Sequence, residues 1–157
     1  MENVIINFYK AFNNLDANTM ISYYHDDIIF EDPAFGVLKG DRAKAMWQML
    51  CESQKGKDFK VEASNIKINE NEGSAHWEAF YNFSKTGRKV HNKIDAKFKF
   101  KDGLIISHVD SFNLYNWSKQ ALGFKGLLLG RTGYFKNKLR LQTNGLLNKY
   151  IEKKLPS

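Results

Sequence analysis

The residues equipped to move a proton gather in two short stretches. Phe30-Glu31-Asp32-Pro33-Ala34-Phe35-Gly36 sets an acid at a turn between apolar residues, and Ser107-His108-Val109-Asp110 sets a histidine and an acid two positions apart. A carboxylate held against an apolar wall loses hydration, which raises its pKa and strengthens it as a base. A His and an Asp on one face of a strand can divide donor and acceptor roles near neutral pH. Asp32, His108 and Asp110 are therefore the candidate catalytic residues, with Tyr9 as a candidate hydroxyl donor. Each also has a plain structural reading: Asp32 as a turn residue, His108 and Asp110 as a mutually satisfied buried pair, Tyr9 as core with its hydroxyl at the rim. His25-Asp26-Asp27 has metal-ligand residue types, but consecutive positions diverge in strand and helix alike, so no metal is expected. There is no Gly-rich phosphate loop or nucleophile elbow, and no cofactor is expected.

These residues need elements to position them. Ile5, Phe8, Phe12 and Leu15 recur at three and four residues, the stripe of a helix packing one face on a core and ending near Asn14. Asp16 can cap a second short helix running to Tyr24. Ile28-Ile29-Phe30 reads as a short strand stopped at Asp32-Pro33, with Gly36 and Gly40 punctuating the bend that follows. Asp41 opens a third helix on which Ala43, Met46, Trp47 and Leu50 share a face. From Asp58 the period becomes two. Trp77, Ala79, Tyr81 and Phe83 form one face of a strand; Thr86-Gly87 turns; Ile94, Ala96, Phe98 and Phe100 form one face of the next; Lys101-Asp102-Gly103 turns again. On the last strand Leu104, Ile106, His108, Asp110 and Phe112 are expected on one face. A phase change between Ala63 and Ile66 implies a bulge in the strand from Phe59 to Ile68, and hence a curved sheet. Trp117 to Leu122 and Tyr134 to Lys154 read as helices separated by glycines, the second carrying Phe135, Leu139, Leu146 and Tyr150 on its apolar side.

The fold class that follows is α+β: N-terminal helices packed over a curved, mostly antiparallel sheet, a cone, with a C-terminal helical extension. Such a cone leaves a space suited to a small apolar ligand. Phe35, Trp47, Trp77, Tyr81, Phe98 and Phe112 are its expected lining. One domain is expected from 157 residues with 43% apolar content, divided into a body (1–114) and a basic extension (115–157) of the same domain. The net charge of +7 is uneven: 15 Lys and Arg face 16 Asp and Glu through residue 114, then 9 face 1. Aromatics are too sparse among the C-terminal cations for single-stranded nucleic acid, so no nucleic-acid partner is expected. The basic helix either lies on an anionic membrane surface or packs its stripe on its own domain or a second subunit. A homodimer through the partly polar outer sheet face is expected. No apolar stretch approaches the roughly 20 residues of a membrane span. Met1-Glu2-Asn3-Val4 lacks a basic head, and Cys51 has no cysteine to pair with, so a reducing cytoplasm is the expected setting.

The order of these elements, together with Phe8-Tyr9-Lys10-Ala11-Phe12-Asn13 to Asp16, Tyr24-His25-Asp26-Asp27 and Phe30-Glu31-Asp32-Pro33, resembles the nuclear transport factor 2-like superfamily, and within it the ketosteroid isomerase and polyketide cyclase (SnoaL-like) branch. The resemblance covers roughly residues 4 to 114. It implies that Asp32 occupies the place of the general base in ketosteroid isomerase, where a tyrosine and a protonated acid stabilise the enolate oxygen. Here Phe8 holds the tyrosine position with Tyr9 one residue later, about 100° around the helix. Ala96 holds the second acid's position, and Asp95 before it is expected to point outward. The resemblance implies an isomerase, cyclase or hydratase acting on an apolar carbonyl compound. The alternative is a non-catalytic ligand-binding domain, or a dimeric interaction domain whose basic tail meets a membrane or an acidic partner.

Overall fold

The computed structural model describes residues 3–155. Two helices lead the chain, α1 (Val4–Asn13) and α2 (Ala17–Ser22). Asn3 caps the first and Asp16 the second, each side chain accepting from a backbone N–H of its first turn. The second helix stops two residues before Tyr24, which instead opens strand β1 (Tyr24–Asp32). Asp32 and Gly36 pair across a three-residue turn, and β2 (Gly36–Lys39) returns antiparallel. Gly36 sits at φ 75°, a left-handed conformation that a side chain would strain. Helix α3 (Asp41–Gln54) follows, with Gly40 rather than Asp41 at its cap position.

Four strands complete the sheet: β3 (Phe59–Ile68), β4 (Glu72–Asn82), β5 (Lys89–Lys101) and β6 (Leu104–Ser111). Their order in space is β2-β1-β6-β5-β4-β3, and only the β1/β6 pair is parallel. The expected bulge in β3 is present as a register shift between Ser64 and Lys67, with Asn65 at φ 51°. Alternation is unbroken on β5: Ile94, Ala96, Phe98 and Phe100 are buried while the lysines between them are exposed. On β6 the expected face needs correction. A shift opposite Lys99 and Phe100 puts Ile105, not Leu104 or Ile106, on the inner side with His108 and Asp110. One extra residue in a bulge reverses the parity upstream of it.

Helices α1 and α3 lie on the concave face, where Ile5, Phe8, Trp47, Phe30 and Phe98 join one apolar cluster. Burying each such large side chain contributes about 1.5–3 kcal/mol before the entropy of ordering is subtracted. The chain then forms α4 (Leu114–Leu122), a short α5 (Phe124–Leu129) that periodicity did not reveal, and α6 (Gly133–Lys154). Within α6, Leu147 rather than the expected Leu146 is sealed into the main core, and Leu146 is exposed. A second, smaller cluster joins Val90, Trp117, Ala121 and Leu139. Ala34, Tyr81 and Phe112 pack against both clusters, so they mark the seam between the cone and its helical lid. No described helix is long and apolar enough to cross a membrane.

Candidate functional site

The parallel register of β1 on β6 sets Phe30 beside His108 and Glu31 beside Val109, and one step on it carries Asp32 toward Asp110. On the other flank β5 places Phe98 beside His108 and Ala96 beside Asp110. The sheet thus delivers three of the four candidate catalytic residues to neighbouring inward positions. Tyr9, on α1, reaches the same interior from above.

His108 is fully buried and walled by aromatic rings: Trp47 stacks on it at 5.9 Å between centroids, Phe98 lies tilted at 4.5 Å, and Phe8 and Phe30 meet it edge to face. Both ring nitrogens are engaged. Nδ1 lies 2.8 Å from the Tyr24 hydroxyl and Nε2 lies 2.9 Å from Asp110 Oδ1. A third bond extends the chain. Trp47 Nε1, which can only donate, gives its hydrogen to the Tyr24 oxygen at 2.7 Å. With the indole unable to accept, a Tyr24 hydroxyl that donates to His108 Nδ1, paired with an Nε2–H directed at Asp110, is the arrangement that gives every group in the chain a partner. Trp77 Nε1 donates to the same Asp110 oxygen at 3.2 Å. Both bonds fall on Oδ1, and among the described residues none bonds to Oδ2.

Tyr9 is buried, packed on Phe8, Trp77 and Phe98, and its hydroxyl has no hydrogen-bond partner among the described residues. Sequence placed that oxygen at the rim; it lies sealed inside. Its pKa is raised well above 10, first by burial and then by the nearby Asp110 carboxylate. An unpaired buried hydroxyl costs about 1–3 kcal/mol, so one left beside a carboxylate marks a place where a polar partner fits.

Asp32 is half-buried at the end of β1, where the turn to β2 passes beneath α6. Its Oδ1 accepts from Phe35 N at 2.6 Å, the turn role that the Asp-Pro sequence implied. Burial nevertheless dominates, and pushes its pKa from 3.8 to about 7; Asp110 adds to the rise, while the Phe35 and Ala34 amides and the Arg140 guanidinium oppose it. The turn and acid-base readings of Asp32 are compatible.

The lid holds this turn from above. Arg140 Nε donates to the Pro33 carbonyl at 3.3 Å, Thr143 Oγ1 to that of Ala34 at 2.9 Å and Asn144 Nδ2 to that of Phe35 at 3.0 Å. Three consecutive carbonyls are thus occupied by one face of α6. Tyr81 at the seam accepts from Trp117 Nε1 at 2.8 Å. Sequence reasoning missed Tyr24, Arg140, Thr143 and Asn144. Tyr24 carried a signal, since it shares parity with Ile28, Phe30 and Asp32; the α6 contacts carried none.

The remaining candidates divide. Trp47, Trp77 and Phe98 are packed around His108 and Asp110, whereas Tyr81 and Phe112 stand at the seam and Phe35 is buried in the main core at the β1–β2 turn. Surface hollows near Glu70 and Phe100 and near Phe80 and His91 lie outside the cone. Asp95 points outward as expected and meets His76 Nδ1 at 2.9 Å. Of the His25-Asp26-Asp27 stretch, Asp26 pairs with Lys44 at 3.0 Å while His25 faces Asp102 at 4.0 Å.

Solved structures share this architecture. An epoxide hydrolase of the LEH-like type from M. tuberculosis is 23% identical, with 81% of this chain and 88% of that one covered at a TM-score of 0.58. A candidate polyketide cyclase from Xanthomonas campestris pv. campestris is 18% identical, covering 74% and 93% at 0.60. A protein with a ketosteroid isomerase-like fold from Catenulispora acidiphila is 10% identical, covering 77% and 93% at 0.63. At such identities the likeness is one of fold. No curated protein matches the chain. The SnoaL-like domain, in contrast, is matched in the sequence itself across residues 5–108, which include Tyr9, Asp32 and His108, and the chain belongs to that family.

Proposed function

We propose that the protein carries out acid-base chemistry on a small apolar carbonyl compound at the seam between cone and lid. The observation that carries this reading is the pairing of two differently held carboxyls. Asp110 has one oxygen fixed by His108 and Trp77 and the other without a bond among the described residues. Asp32, a short way along the same face, is pushed to about 7. Neighbouring carboxyls with divergent surroundings can divide the roles of proton acceptor and donor. In this reading Asp32 takes the proton from carbon or returns it, Asp110 Oδ2 receives or relays it, and the Tyr9 hydroxyl donates to the developing oxyanion. Tyr81, Phe112 and Phe35 supply the apolar contact. The relatives named for epoxide hydrolysis and polyketide cyclisation support a hydratase or cyclase as well as an isomerase.

A second reading, a binding domain without turnover, is favoured by the aromatic rings that fill the interior around His108. Deuterium uptake at the α-carbons of a panel of apolar cyclic ketones and enones, followed by NMR in heavy water, tests the first reading. Protein-dependent exchange that Asp32→Asn abolishes, with ligand-induced tryptophan quenching retained, is the expected result. Exchange unchanged in Asp32→Asn removes Asp32 from the chemistry, and quenching without exchange across the panel establishes the binding reading.

A further inference from the structure

The side of the lid that faces away from the cone is both apolar and basic. Helix α5 rests on α4 through Gly126, where an added Cβ would come within 2.0 Å of the Ser118 carbonyl oxygen. With about 100° per residue, Phe124 and Leu128 fall roughly opposite Gly126. They are 72% and 62% exposed. Leu127 and Leu129 flank them, and Tyr134 and Leu141 extend the open apolar surface onto α6. Single exposed leucines are ordinary, but a cluster on one short helix is a contact surface waiting for its counterpart.

Charge identifies the counterpart. Lys119 and Arg131 both lie over the Tyr115 ring, at 4.7 and 4.3 Å, which brings cations from α4 and from the loop after α5 together. Lys125, Lys136 and Lys138 add to them, and no Asp or Glu occurs between Asp110 and Glu152. A second copy would meet this surface with the same sign of charge, which opposes self-association. Apolar side chains ringed by cations are instead the composition that lies in the headgroup region of an anionic bilayer. The face expected from sequence, with Phe135, Leu139 and Tyr150, is not this one: Leu139 is buried and Tyr150 bonds to Glu52.

We infer that α5 and the start of α6 form a peripheral docking surface for anionic lipid, with Phe124 and Leu128 entering the headgroup layer and Lys125, Arg131, Lys136 and Lys138 meeting the lipid charges. The inference stands independently of any chemistry at Asp32.

Sedimentation of the full chain with vesicles tests it. The protein is expected to pellet with phosphatidylcholine vesicles containing about one-third phosphatidylserine, to remain in solution with phosphatidylcholine alone, and to be released by about 0.5 M salt. Phe124→Ser with Leu128→Ser should weaken binding at least about tenfold, and so should Lys125→Glu with Arg131→Glu. Unchanged thermal melting of both variants verifies the fold, since all four positions are on the outer surface. Wild-type protein that ignores both vesicles, or variants that bind as wild type does, overturns the inference. So does a wild-type dimer that Phe124→Ser with Leu128→Ser dissociates in the absence of vesicle binding, which would assign the surface to a second copy.

Discussion

Trp47 donates to Tyr24 across 2.7 Å and heads a chain of buried bonds that runs through His108 to Asp110. Because the indole cannot accept, Tyr24 has only His108 Nδ1 to donate to. Tyr24→Phe leaves both the Trp47 N–H and His108 Nδ1 without partners in the core and should cost about 2–4 kcal/mol in urea unfolding. Trp47→Phe removes the donor as well as its bond and leaves Tyr24 still donating to His108, with a smaller cost of about 1–3 kcal/mol. The double variant should fall short of the sum by about 0.5–2 kcal/mol, because the orphaned indole is then gone. Additive costs would show that the two bonds are independent.

The raised pKa of Asp32 makes stability depend on pH in a stated direction. Between the ordinary 3.8 and about 7 the folded protein keeps the Asp32 proton and the unfolded chain does not. The contribution is fully present below about pH 4, declines as pH rises through 7 and levels off above it. Asp32→Asn fixes an uncharged group that can still accept from Phe35 N. It should therefore stabilise by about 1–3 kcal/mol at pH 8, raising Tm by several degrees, and change little at about pH 4. Melting curves at the two pH values check this. Loss of turnover together with a gain in stability at pH 8 would be the mark of a functional acid.

The elements that can be read from sequence are those specified by local pattern. Phe8 and Phe12 give away α1, the alternation of Lys and Phe gives β5, and Asp102-Gly103 gives the turn, since both residues adopt positive φ. His108 and Asp110 were legible because two residues on a strand share a face. What depends on distant pairing was hidden. Tyr24 joins His108 only through the parallel β1/β6 contact, which is irregular between Tyr24 and Ile29, and its strand parity was masked by the helix capped by Asp16. The bulge opposite Lys99 and Phe100 moved Ile105 inward without any local signal. The docked side of α6 is mostly polar, with Arg140, Thr143 and Asn144 bonding to turn carbonyls, so a search for an apolar stripe picked Leu146 in place of Leu147.

The Arg140 guanidinium opposes the rise at Asp32, and it also holds the Pro33 carbonyl. Arg140→Met keeps an apolar stem over the turn and removes the charge. The Asp32 midpoint should move upward by a fraction of a unit, because the carboxylate loses a cation and the acid form loses nothing. Titration of the Asp32 carboxyl carbon by NMR reads the midpoint directly. If Asp32 is the base, the rising limb of kcat/KM against pH moves by the same amount. A midpoint that moves downward would mean that Arg140 acts on the turn's geometry and not through its charge.

The joint between α4 and α5 depends on two glycines. An added Cβ at Gly126 would lie 2.0 Å from the Ser118 carbonyl oxygen, and one at Gly130 would lie 2.0 Å from the Ser118 hydroxyl oxygen. The Ser118 hydroxyl can rotate away, which leaves Gly130 with one backbone clash, the Gly126 carbonyl oxygen at 2.5 Å, whereas Gly126 meets Ser118 O at 2.0 Å, Ser118 C at 2.3 Å and Lys119 N at 2.8 Å, all backbone. Gly126→Ala should therefore lift α5 from α4 at a cost of about 1–3 kcal/mol, and Gly130→Ala should cost less. The sheet is built of separate hydrogen-bonded ladders and the main apolar cluster, so the damage should stay in the lid. Amide hydrogen exchange checks this: faster exchange through α4 and α5 in Gly126→Ala, with β4 and β5 protected as in the wild type, is the expected pattern. Loss of protection across β5 as well would mean that Trp117, Ala121 and Val90 tie the lid to the sheet as one cooperative unit, and that the cone does not hold together without its cover.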